Sequence, residues 1–153
     1  MNFSNLSPAE KLIFGCGIAL LILSFMPWFA VGGAAAFQRN AWSNLISTLG
    51  VIAGILMVLQ IAFTKFGSGK LPMPKLPWGR VHLALGVFAL VMVLGQALIG
   101  DSITTPAFQG LPSLEVDLDR RPSLILSTLA AFGLAYGGFA RSKEPEGAGG
   151  NFY

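Results

Sequence analysis

Four stretches of the chain are apolar throughout, with charged residues only at their borders: residues 12–31, 45–63, 81–100 and 122–140. At a rise of 1.5 Å per residue, each is about as long as a helix must be to cross a hydrocarbon layer of roughly 30 Å. Runs of this kind predict transmembrane helices, because a helix satisfies its own backbone N–H and C=O groups in lipid and an open strand does not. The first run holds eleven Leu, Ile, Val or Phe residues. Each favours the bilayer centre by about 0.3–0.6 kcal/mol, whereas one central charge would oppose insertion by about 3 kcal/mol. The expected fold is an all-α membrane protein: a four-transmembrane-helix bundle in one domain, residues 1–143, with a C-terminal tail, 144–153.

The polar punctuation between the runs refines this picture. Ser7-Pro8-Ala9-Glu10 reads as a helix start, with a serine cap, proline in the first position and an acid in the first turn. Pro27 should bend or stop the first helix, since it offers no N–H to the carbonyl of Leu23. Loop 2 carries Gly67, Gly69, Pro72, Pro74 and Pro77 among four basic residues, which predicts an irregular connector. In loop 3, residues 114–119 read Leu-Glu-Val-Asp-Leu-Asp. Strict alternation of this kind suggests a short extracytoplasmic strand, or a segment lying with one apolar face down. Residues 144–150 have the composition of a disordered tail. The triplet Ala34-Ala35-Ala36 imitates a signal-peptidase site, and Ile13-Phe14-Gly15-Cys16 a lipobox. The apolar run is long for a signal peptide, Glu10 spoils the basic region before it, and Phe14 is too bulky for a lipobox. The first helix is therefore expected to remain uncleaved.

Charge then sets orientation. Only 11% of residues are charged, and the net charge is +3. With four spans and both termini cytoplasmic, Lys11, Lys65, Lys70, Lys75, Arg80, Arg141 and Lys143 lie inside, and Arg39, Arg120 and Arg121 outside. Seven against three favours this arrangement by the positive-inside rule. The acids Asp101, Glu115, Asp117 and Asp119 fall outside. The basic balance therefore reports topology and contact with lipid headgroups rather than nucleic acid. Trp28 and Trp42 are expected as anchors at the outer interface and Trp78 at the inner one.

Candidate functional residues are few. Gly50 and Gly54, and Gly133 and Gly137, form two GxxxG patterns, which serve either helix packing within the bundle or an oligomer interface. Gln60 and Gln96 are the polar residues most clearly inside runs, so they are candidates for intramembrane polar contacts. His82 is the sole histidine and is expected at the inner interface. Cys16, the sole cysteine, excludes an intramolecular disulfide and reads as a packing residue. Asp101, Glu115, Asp117 and Asp119 match no calcium-loop spacing, and Asp117 and Asp119 read as a solvated face beside Arg120 and Arg121. No Walker A, GxGxxG, HExxH, CxxC or GxSxG motif is present, so no catalytic, cofactor or metal residue is assigned.

Ser24-Phe25-Met26-Pro27-Trp28-Phe29, Asn40-Ala41-Trp42 and Pro77-Trp78-Gly79 resemble segments of small four-span membrane proteins common in actinobacteria, a group of unassigned function. The resemblance covers most of the chain. It implies a bacterial plasma membrane and a four-span layout, and transfers no functional residue. The expected function is that of a non-enzymatic accessory or scaffold subunit of a membrane assembly, with the bilayer and a protein partner or second copy as its contacts. A small oligomeric pore or carrier, and a lipid-binding protein at the outer interface, are the alternatives.

Overall fold

The computed structural model describes residues 6–31, 38–66, 76–105 and 114–144. The expectations for the alanine triplet, for the connector over 67–75 and for the tail beyond Glu144 lie outside the described residues.

Helix α1, Pro8–Ser24, starts at a complete capping box. Glu10 N donates to Ser7 Oγ at 3.2 Å, and Ser7 N donates to Glu10 Oε2 at 3.0 Å. Two N–H groups that the first helical turn would leave bare are thus satisfied. The helix stops at Ser24, short of Pro27, whose missing N–H prevents another turn. The predicted span over 12–31 is corrected accordingly. The helix begins earlier at its cap and ends earlier at the proline, and Phe29–Ala30 is strand β1.

Strand β2, Gln38–Arg39, precedes a single 3-10 turn at Ala41–Ser43 and helix α2, Leu45–Phe66. Helix α3, Trp78–Ile99, is followed by strands β3, Ser102–Thr105, β4, Leu114–Asp117, and β5, Asp119–Arg120. Helix α4 is Pro122–Ser142. The chain is mostly helical, and three helices, α2, α3 and α4, are long and apolar enough to cross a membrane. Helix α1 has 17 residues, about 25 Å of rise, and falls just short of that length.

The four helices run alternately up and down and close into a ring: α1 touches α2 and α4, and α3 touches α2 and α4. The α3–α4 seam is the most extensive. It is so close because glycines meet backbone there. A Cβ on Gly138 would lie 2.5 Å from the His82 carbonyl oxygen, and one on Gly86 would lie 2.7 Å from that of Leu134. Leu20, Val51, Met57, Val93, Ala131 and Leu134 fill the centre and are fully buried.

Two small sheets cover one end of the ring. One is antiparallel in the order β2-β1-β5, and β3 pairs antiparallel with β4. The alternating segment of loop 3 therefore supplies the expected short strand, β4, and its last residue opens a further one, β5. The loop after α1 supplies two further strands that no periodicity announced. We call this the strand end and the opposite one, where α1 begins, the clasp end.

Candidate functional site: polar centres at the two ends of the bundle

At the clasp end a carboxylate is buried among charges from three helices. Glu10 is 2% exposed. Its Oε1 lies 3.1 Å from Arg141 Nη2 of α4, and its Oε2 lies 3.3 Å from Lys65 Nζ of α2. Ser7 Oγ donates to Glu144 Oε2 at 3.1 Å, which draws a second acid to the same place. Two acids face two cations, so the centre is close to neutral. This balance is what makes burial tolerable, because an isolated buried charge is very costly. Glu10, Lys65 and Arg141 stand just outside the apolar runs 12–31, 45–63 and 122–140, as the sequence placed them. They lie in terminal helical turns, and each turns inward to find the others.

His82 occupies the same end. It is 1% exposed, because Gly138 lets α4 close over it. Its Nδ1 lies 2.8 Å from the Trp78 carbonyl. A carbonyl only accepts, so in the neutral ring the proton is assigned to Nδ1, and Nε2 faces inward as an acceptor. Among the described residues, Gln60 Oε1, His82 Nε2 and Arg141 Nη1 are buried side-chain atoms of this end without a hydrogen-bond partner. Gln60 is thus turned into the bundle, at 9% exposure. Trp78 is half-buried, its ring 6.3 Å from that of His82.

At the strand end, aromatic N–H groups complete the end of α1. Trp28 is fully buried, and its Nε1 donates to the Leu23 carbonyl at 2.9 Å. This is the carbonyl that Pro27 cannot serve. Trp42 Nε1 donates to Ser24 Oγ at 3.1 Å, and Ser24 Oγ donates to the Leu21 carbonyl at 2.6 Å. The two indoles therefore sit at one end, as a shared depth requires, but with different roles. Trp42 is 37% exposed, whereas Trp28 has no exposed surface to offer a headgroup. It plugs the bundle.

Polar side chains serve carbonyls throughout this end. Arg120 Nε and Nη2 donate to the carbonyls of Ala97 and Leu98 at 2.6 and 3.1 Å, closing the C-terminus of α3. Gln96 Nε2 donates to the Gly100 carbonyl at 2.9 Å, and Gln96 Oε1 is buried without a partner. Ser123 Oγ donates to the Pro27 carbonyl, tying α4 to the loop after α1. Gln60 and Gln96 thus lie at opposite ends, with the apolar centre between them.

Asp101 faces Arg39, with Oδ1 and Nη1 3.5 Å apart. Glu115, Asp117 and Asp119 are exposed, and Glu115 Oε1 accepts from Ser102 Oγ at 2.7 Å. No group of three or more His, Cys, Asp or Glu side chains comes together among the described residues. A cavity of about 240 Å³ opens beside Arg39, lined by Phe25, Pro27, Gln38, Asn40 and Ser43.

The small-residue stripes face inward. A Cβ on Gly50 would lie 3.0 Å from Met92 and Val93 of α3, and one on Gly54 would lie 3.0 Å from Leu134 of α4. Those on Gly133 and Gly137 would meet Cys16 and Ile13 of α1. Cys16 is a packing residue against this core. Sequence reasoning missed Gly86 and Gly138, whose only signal was a glycine on each of two neighbouring helices. It also missed the clasp, whose signal was Glu10, Lys65 and Arg141 in terminal turns of three helices. No family model, no curated protein and no solved structure matches this chain.

Proposed function

We propose that the chain is a non-enzymatic, multi-pass protein of a plasma membrane that acts as an accessory or scaffold subunit. In this reading α1 is a fourth span, and both chain ends lie on the cytoplasmic side. The supporting observation is where the polar groups go. Glu10, Lys65, Arg141, Ser24, Trp28, Ser123 and Arg120 all hold one part of the chain to another. The outward faces of the helices carry Leu56, Leu59, Val91, Leu129 and Phe132, which suit lipid or another apolar helix. The clasp end also exposes Lys11, Arg80 and Lys143, as a cytoplasmic face would.

A pore through one chain loses support from the same geometry. Leu20, Val51, Met57, Val93, Ala131 and Leu134 form an apolar barrier between Gln60 and Gln96. The inward-facing glycines likewise leave the GxxxG patterns without an outward surface for oligomers. Mild-detergent extraction after in-cell crosslinking tests the reading. A stoichiometric membrane partner supports it. A lone monomer with no crosslinked partner counts against it.

A further inference from the structure

The cavity beside Arg39 is not used by the contacts that hold the fold. Its lining is chemically one-sided. Arg39, Gln38 and Asn40 supply N–H donors, and no carboxylate lines it. Asn40 is held in place by its own Oδ1, which accepts from Trp42 N at 3.1 Å and from Ser43 Oγ at 3.2 Å. With Oδ1 occupied, the amide NH₂ is the part of Asn40 left to meet a ligand. Arg39 is fixed by strand pairing, since its residue opposes Phe29 across β1 and β2 and its carbonyl accepts from Trp28 N at 2.8 Å. Its side chain is 38% exposed and its guanidinium meets Asp101 through one nitrogen at 3.5 Å, which leaves most of its five N–H groups to other acceptors.

Next to these donors lies an apolar shelf. The rings of Phe25 and Trp42 meet at a tilt of 34°, with 5.7 Å between centroids. Phe25 is 65% exposed, and Ile22, one turn away along α1, is 61% exposed. Leu45, at the first turn of α2, is 73% exposed. Because α2 is apolar enough to cross a membrane, its first turn lies near the water boundary, at the depth of phosphates and the first carbons of acyl chains. A donor-rich cleft above an apolar shelf at this depth matches a phosphodiester with attached chains. Arg guanidinium is the side chain whose fork best fits phosphate oxygens.

We propose that the cleft formed by Arg39, Gln38, Asn40 and Ser43 binds the phosphate of a membrane lipid, whose acyl chains run along Phe25, Trp42 and Leu45. The site is independent of the scaffold reading and of which way round the chain is inserted. Asp101 competes with the phosphate for Arg39 and so limits affinity.

Native mass spectrometry of the delipidated protein in detergent tests this with four probes: phosphatidylglycerol, phosphatidylethanolamine, diacylglycerol and inorganic phosphate. The two phospholipids are expected to be retained about tenfold better than diacylglycerol, which has the chains without the phosphate. Arg39→Gln should abolish that preference. Asp101→Asn breaks the same ion pair but keeps the cation, so it should hold phospholipid as well as or better than the parent. Loss of retention in Asp101→Asn as well as Arg39→Gln would show that only the ion pair matters, and would overturn the proposal. So would equal retention of diacylglycerol. Binding of inorganic phosphate in place of lipid would overturn the assignment to a lipid.

Discussion

Glu10 and Arg141 stand at the first turn of α1 and the last turn of α4, and their charged atoms meet at 3.1 Å in an interior from which Glu10 is almost wholly shielded. Removing Glu10 takes away the carboxylate that Arg141 and Lys65 share, whereas removing Arg141 leaves Glu10 its contact with Lys65. Glu10→Ala should therefore cost about 3 kcal/mol or more, and Arg141→Met alone should cost less. The double variant Glu10→Leu with Arg141→Met should recover part of that loss, since an apolar pair can replace a buried ion pair at little net cost. Thermal unfolding in detergent, read as a double-mutant cycle, checks both statements.

Trp28 and Trp42 differ in environment although they sit at the same end. In single-tryptophan variants, an aqueous quencher or brominated lipid should reach Trp42 and leave Trp28 almost untouched. Trp28→Phe, which keeps most of the ring and loses the N–H to Leu23, should cost about 1 kcal/mol from that hydrogen bond, with a further loss from the unfilled ring volume.

Glycines separate into two groups by what a methyl would meet. Gly86→Ala and Gly138→Ala place a Cβ against backbone of the facing helix, which cannot step aside, so both should loosen the α3–α4 seam and lower thermal stability markedly. Gly15 and Gly95 have nothing within 4 Å of the same position. Gly15→Ala and Gly95→Ala should be neutral, or stabilising by up to about 1 kcal/mol through helix propensity. Parallel melts of the four variants would decide the matter, and equal losses in all four would contradict the seam.

Gly100 has a φ of +84°, which a side chain adopts only at a cost, and its carbonyl accepts from Gln96. Gly100→Ala should cost about 1–2 kcal/mol and disturb the approach to β3. Hydrogen exchange at the amides of Ser102 and Leu118 should rise in that variant.

The helices were legible because an uncharged apolar run says the same thing at every position, whatever surrounds it. Their ends were less legible. Sequence hydropathy stops a helix at Glu10, Lys65 or Arg141, whereas in the folded chain these residues pair with one another and the helical turns continue through them. Strand β4 announced itself through alternation. Strands β1 and β2 could not, since two residues carry no period, and their pairing depends on Arg39 and Arg120 arriving from different loops. The candidate polar sites share this difficulty. The burial of His82 depends on a glycine in another helix, and the cleft beside Arg39 depends on an asparagine whose partners are its own neighbours.

The clasp also imposes an order of events on the growing chain. Glu10 is synthesised with α1, its first cation, Lys65, arrives with the end of α2, and its second, Arg141, comes only with the last turn of α4. Until then the first helix carries an acid whose final surroundings do not exist. The contact that ties α1 to α4 therefore closes only after the two helices between them have been made.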